Sequence, residues 1–245
     1  MMNQVYNVSA LDLLSALADG SVGAVITDPP FFISTTRDGG GEFSDPWSRA
    51  STLDEALGEV RPVVKEVLRV LRPGGALAVM GQGICTTVWD LTSREVGLNW
   101  MAELAVLWNT GKPRVLNFGS LHTHVNWYSK PGAKHTFNSG DRRSIYSNVL
   151  VAKKIHPQSR NHPSEKPVGL TNFLVSLLSR DEDLIVDPFC GSGSTLVSAA
   201  ICGRGFVGSD LDPNYCSIAQ NRANHHELED SDPIYLWING KLEAV

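Results

Sequence analysis

Cysteine is scarce in this chain of 245 residues, and the four present, Cys85, Cys190, Cys202 and Cys216, stand singly without a CxxC pair. That spacing argues against a zinc ribbon and a disulfide framework and suits a reducing compartment. No apolar run approaches the roughly 20 residues that a bilayer-spanning helix needs. Positive charge is missing from the start, where the first Lys or Arg is Arg37. The segment therefore lacks the basic opening of a secretory signal, and a soluble cytoplasmic protein with no membrane contact is expected. Two nucleotide signatures are absent as well, GxxxxGK(S/T) and GxGxxG. Their absence argues against a lysine that reaches nucleotide phosphates and against a diphosphate held in a dinucleotide turn.

What is present has the balance of a globular domain, with 42% apolar and 19% charged residues. The net charge of -5 is unevenly spread. Between Asn109 and Lys166, ten Lys or Arg face two acids, Asp141 and Glu165, a local balance of +8 against -13 for the rest. Five of the seven histidines fall in the same stretch. A basic insert on an acidic body attracts phosphate; a solvated loop face is the plain alternative. Its cations, Lys112, Arg114, Lys130, Lys134, Arg142, Arg143, Lys153, Lys154 and Arg160, are interleaved with Trp127, Tyr128, Phe137 and Tyr146. Trp127-Tyr128 reads as strand core rather than as a stacking platform. His122-Thr123-His124 finds no third ligand at helpful spacing, so no metal is expected.

Hydrophobic pattern and punctuation outline the fold. Residues 22–27 form an apolar run stopped by Asp28-Pro29-Pro30, a buried strand. Over 51–71 apolar residues recur at three- and four-residue steps, which predicts a helix ended by Pro73-Gly74-Gly75. Thr52 with Glu55, or Ser51 with Asp54, has capping-box spacing at its start. Strands are predicted near 76–80, 102–108, 184–186 and 205–209, and helices near 84–96, 168–179, 195–201 and 214–223. Short apolar strands alternating with helices indicate an α/β fold with a largely parallel sheet.

Ligands of open α/β sheets bind beyond the carboxyl ends of the strands. Two such ends are chemically loaded here. One is Asp187-Pro188-Phe189-Cys190-Gly191-Ser192-Gly193-Ser194-Thr195, where glycines permit a tight turn and a close backbone approach. The next strand ends in Asp210, an acid placed to accept from ribose hydroxyls. Together they suggest a nucleoside without a diphosphate, such as S-adenosylmethionine, although glycine turns after strands are common. The other end is Asp28-Pro29-Pro30-Phe31. A carboxylate, a rigid carbonyl and an aromatic ring could clamp a planar amino-heterocycle; a proline-rich strand exit with an incidental Asp is the simpler reading of that tetrapeptide alone.

Together these segments resemble the permuted β group of site-specific DNA amino-methyltransferases. Asp28-Pro29-Pro30-Phe31 is similar to the catalytic DPPY-type motif and comes first, as in that group. His162-Pro163-Ser164-Glu165-Lys166-Pro167 resembles its HP-T/S-EKP stretch and runs into the Asp187 turn. Gly208-Ser209-Asp210-Leu211-Asp212-Pro213 and Arg69-Val70-Leu71-Arg72-Pro73-Gly74-Gly75 are also similar to family stretches.

The resemblance implies one Rossmann-like methyltransferase domain over 1–245, a doubly wound sheet with a target-recognition insert at about 109–160. It implies S-adenosylmethionine as cofactor and double-stranded DNA as partner. Asp28 and the Pro29 carbonyl, followed by Pro30, would bind the target amino group, with Phe31 stacked on a flipped base. Asp187, Pro188, Phe189, Gly191, Gly193 and Thr195 would form the cofactor turn, Asp210 would hold the ribose, and Lys166 would line the pocket. Ser9 stands where the family often has an Asp on the cofactor's adenine. Asp28, rather than Ser, in the first motif position goes mostly with adenine N6. Cytosine N4, or a silent DNA-binding subunit on the same fold, are the rival readings. No Pro-Cys dipeptide occurs, against cytosine C5 chemistry. Any restriction nuclease is expected on a separate chain.

Overall fold

The computed structural model describes residues 2–30, 52–109, 121–139, 147–225, 233–238 and 241–244. Phe31, Lys112, Arg114, Arg142, Arg143 and Tyr146 lie outside the described residues. The chain runs β1 (Gln4–Tyr6), α1 (Ala10–Ser15), β2 (Val22–Thr27), α2 (Leu53–Val70), β3 (Leu71–Gly81), α3 (Ile84–Glu95) and β4 (Asn99–Trp108). It continues through β5 (His122–Ser129), β6 (Val149–Ala152), α4 (Val168–Leu178), β7 (Leu184–Asp187), α5 (Ser194–Ile201), β8 (Gly205–Ser209), α6 (Pro213–Asn224), β9 (Tyr235–Ile238) and β10 (Lys241–Ala244).

One sheet of ten strands holds them in the order β1-β8-β7-β2-β3-β5-β4-β6-β9-β10. The half from β1 to β3 is parallel throughout. Helices cover both of its faces, so its strands read as continuous apolar runs. Along β2, Ala24 and Ile26 face α4, α5 and α6, with Leu174, Leu196 and Ala219. Val25 faces the other layer, where Leu14, Val64, Val67 and Trp89 of α1, α2 and α3 pack. All six β2 residues are buried.

Helix α2 starts at Thr52, whose hydroxyl accepts from the Glu55 N–H at 3.2 Å, which selects one of the two capping registers. Its end differs from expectation. Pro73-Gly74-Gly75 does not stop the helix but sits in a bulge of β3, between the pairs Val22–Leu71 and Ala24–Ala76. Gly74, at φ +73°, lies so close to the Lys134 carbonyl that a Cβ would stand 2.3 Å from it. Close backbone packing, rather than helix termination, accounts for this glycine.

The basic insert expected at 109–160 is partly sheet. β5 lies between β3 and β4, and β6 pairs with β4, so these strands extend the sheet itself. Trp127 and Tyr128 are buried in it, as strand core. Strand direction then sorts the cations. β5 runs antiparallel to β3, with His124 opposite Gly81 and Ser129 opposite Ala76. Lys130 and Lys134 therefore follow β5 at the edge away from Asp28. β4 and β6 run the other way, so Lys153 and Lys154 leave β6 at the edge where β2 ends. Among the described residues, no helix is long and apolar enough to cross a membrane.

Candidate active site

The parallel strands β2, β7 and β8 end side by side, and a cavity of about 1020 Å³ opens at their carboxyl edge. Every described residue expected at the site lines it, with the exception of Gly193. Parallel pairing explains the convergence, since strands of one direction deliver their exits to one edge.

Asp187 closes β7 and is fully buried. Its Oδ1 accepts from the Thr27 hydroxyl at 2.7 Å and from the Phe189 N–H at 3.2 Å, and Thr195 also donates to it. Burial pushes its carboxyl up to about 7, against the pull of these donors, and the neighbouring Asp28 adds to the rise. Gly191 has φ +50°, lines the cavity, and donates its N–H to Asp210 Oδ2 at 3.0 Å. Asp210 Oδ1 accepts from the Asp212 N–H at 2.9 Å, so two strand exits are tied through one carboxylate.

Two expected cofactor residues also have contacts within the scaffold. Gly193 begins α5 in the left-handed region, and a Cβ there would stand 2.7 Å from Ala219. The absence of a side chain there lets α5 and α6 approach. Ser9 lines the cavity but caps α1, accepting from the Asp12 N–H and donating to Asp12 Oδ2 at 2.6 Å. Its hydroxyl is engaged locally.

Asp28 follows β2 directly. Its Oδ2 is bonded by the Lys166 ammonium, while Oδ1 is buried and has no hydrogen-bond partner among the described residues. Burial raises the carboxyl above its ordinary range, opposed by the charge and hydrogen bond of Lys166 and by His162. Lys166, expected toward the cofactor, thus reaches Asp28.

The segment that carries Lys166 is held from several sides. Glu165 and Arg222 of α6 form a buried ion pair at 2.9 Å, and Arg222 also donates to the Ser192 carbonyl at 2.6 Å. Ser194 donates to the Lys166 carbonyl at 2.8 Å. His162 stands edge-on to Tyr215 at 4.5 Å, and burial lowers its pKa. Thr27, Glu165, Arg222 and Tyr215 were not singled out from the sequence as site residues. Thr27, a hydroxyl ending an apolar run, and Glu165, inside the His162–Pro167 stretch, left a signal there; Arg222 and Tyr215 left none.

The donor set fits a nucleoside-bearing cofactor. Carboxylates end two adjacent strands, a glycine backbone lies between them, and the cavity matches the roughly 300–1,000 Å³ usual for such ligands.

Comparison with known proteins agrees. Residues 22–221 match the DNA methylase family of N6 and N4 methyltransferases. The chain is 26% identical over 247 residues to the type II methyltransferase M.HinfI of Haemophilus influenzae, covering 90% of this chain and 68% of that protein. It is 24% identical over 255 residues to the DNA adenine methyltransferase YhdJ of Escherichia coli K12, covering 90% and 83%. The fold is shared with an M1.HpyAVI–SAM complex at TM-score 0.71 and 20% identity, covering 90% and 98% of the two chains. It is shared as well with the cytosine-N4-specific PvuII DNA methyltransferase at TM-score 0.73 and 20% identity, covering 91% and 93%. The chain belongs to the DNA methylase family, enzymes that methylate amino groups of DNA bases with S-adenosylmethionine.

Proposed function

We propose that this protein transfers a methyl group to N6 of adenine in double-stranded DNA, and that Asp28 receives the target amino group. The carrying observation is the buried Asp28 Oδ1, an acceptor without a donor among the described residues, beside the cavity that Asp187 and Asp210 also line. An exocyclic amino group is a poor nucleophile because its lone pair is delocalised into the ring. Acceptance of its hydrogens by Asp28 and the Pro29 carbonyl favours a pyramidal nitrogen with the lone pair free. Pro29 and Pro30 fix the backbone that presents this carbonyl, and Phe31 would stack on the flipped base.

S-adenosylmethionine, when bound, would supply an electrophilic sulfonium methyl for the amino nitrogen and would retain the bonding pair as a thioether. Asp187, Pro188, Phe189, Gly191, Thr195 and Asp210 would hold it, with Asp210 toward the ribose. The nitrogen then sheds one proton, and Asp28 is in place to take it. Alignment of the two reactants supplies much of the rate. Direct transfer to nitrogen calls for no thiol nucleophile, and burial raises Cys85 to about 12 and Cys190 well above the ordinary thiol range.

Asp in the first motif position and the likeness to an adenine methyltransferase support adenine. Lys153 and Lys154, emerging at the catalytic edge, support duplex DNA as the partner of that edge. Lys130 and Arg160 are engaged within the fold, where they bond the carbonyls of Leu71 and of Ile155 and Pro163. The test is to incubate the protein with unmethylated DNA and S-adenosylmethionine, digest to nucleosides and identify the product by mass against standards. N6-methyladenosine in its deoxy form is expected; N4-methyldeoxycytidine would overturn the choice of base, and no methylated base would overturn the reading.

A further inference from the structure

We propose that Lys166 is a positioning residue for methyl transfer, holding Asp28 by Oδ2 so that Oδ1 is kept as the acceptor for the substrate amino group. The inference rests on the reading of Asp28 given above. It assigns Lys166 to the acceptor side of the reaction rather than to the cofactor.

The ion pair is sheltered, with the Lys166 and Asp28 side chains 11% and 16% exposed. The ammonium is delivered from a braced segment. The Lys166 carbonyl accepts from Ser194 of α5, and its neighbour Glu165 is locked to Arg222 of α6. Glu165 also accepts from the Asn161 N–H at 2.6 Å, which folds the segment back on itself. A lysine tethered this way holds a carboxylate in one orientation better than a freely solvated one would.

The charge matters as much as the bond. Among the described residues, the groups that face Asp28 are Lys166 and His162 from the segment before α4, Asp187 from β7 and Cys85 from α3. Glu59 of α2 and Asp210, just after β8, line the same cavity. His162 is held toward its neutral form by burial, and Cys85 is a buried thiol. Among the described residues, Lys166 is therefore the main cation that opposes the cost of burying Asp28 as a carboxylate. Without it burial would push the carboxyl further toward its protonated form. A protonated Asp28 has a hydroxyl on one oxygen and could not take the proton released by the amine.

The test is the pH dependence of single-turnover methyl transfer, at saturating DNA and S-adenosylmethionine, for Lys166→Met and Lys166→Arg. In the Met variant, the ratio of the rate at about pH 6 to that at about pH 8 should fall at least about tenfold below the wild-type ratio. The affinity for S-adenosylmethionine, read by calorimetry, should stay as in the wild type, and Lys166→Arg should restore the profile. Lys166→Gln, polar but uncharged, should show the same shift and stands in if the Met variant does not fold. An unshifted profile, or a loss confined to cofactor affinity, would overturn the proposal. Wild-type protein that methylates no base would instead sink the reading of Asp28 on which it rests.

Discussion

The exits of β2 and β7 are neighbours in the sheet, and each presents a buried aspartate to one cavity, yet the two carboxylates are satisfied in opposite ways. Asp187 is held by neutral donors, the Thr27 hydroxyl and the Phe189 N–H among them. Asp28 is held on one oxygen by an ammonium, and its other oxygen has no donor among the described residues. A carboxylate ringed by short-range donors of its own scaffold behaves as a strut that shapes the turn. A carboxylate with a cation behind it and an open lone pair is set to receive a ligand. Sequence position alone, Asp before Pro in both cases, does not separate these roles; partners do.

The contrast can be broken most severely at Asp28. Asp28→Ala removes the acceptor but leaves the β7 turn intact. Methyl transfer should fall by about 10²- to 10⁴-fold, measured in single turnover, with the cofactor affinity little changed.

A smaller effect separates the two by pH. The Asp187 carboxyl stands at about 7 in the fold against an ordinary 3.8. A raised carboxyl contributes stability that is fully present below its unfolded pKa and is lost as pH rises through the folded one. The unfolding free energy of the cofactor-free protein should therefore decline between about pH 4 and about pH 8, by up to about 4 kcal/mol from this group. Asp187→Asn should lack that part of the slope in denaturant titrations, and parallel curves would refute the assignment.

The mildest change is Thr27→Val, nearly isosteric and buried. Asp187 loses one donor, at a cost of about 1 kcal/mol in stability. Cofactor affinity should weaken in step, and Thr27→Ser should recover both in the same assays.

How far the sequence reveals this arrangement depends on range. The strand over 22–27 is legible because a parallel strand covered on both faces is apolar throughout and ends in prolines. Helix α2 is legible from its amphipathic period and cap. β1, α1, β9 and β10 are too short to carry a pattern, and β5 is disguised by the polar start His122-Thr123-His124 and by the cations around it. Pro73-Gly74-Gly75 has the local look of a helix stop, while its true reason, contact with the chain at Lys134, is tertiary. The same holds at the site. Asp28, Asp187 and Asp210 are legible as punctuation after strands. The bond from Lys166 to Asp28 spans 138 residues of chain. Nothing local announces it, nor does anything local show that Gly193 serves the packing of α6.

The division of labour between the two strand exits is the central claim, and one paired measurement tests it most directly. Asp28→Asn and Asp187→Asn are each assayed for S-adenosylmethionine affinity by calorimetry and for single-turnover transfer to DNA at saturating cofactor. The account predicts a crossed outcome: Asp28→Asn binds cofactor as the wild type does and transfers poorly, while Asp187→Asn binds cofactor weakly and transfers once saturated. Equal losses of both functions in both variants, or full transfer by Asp28→Asn, would contradict it.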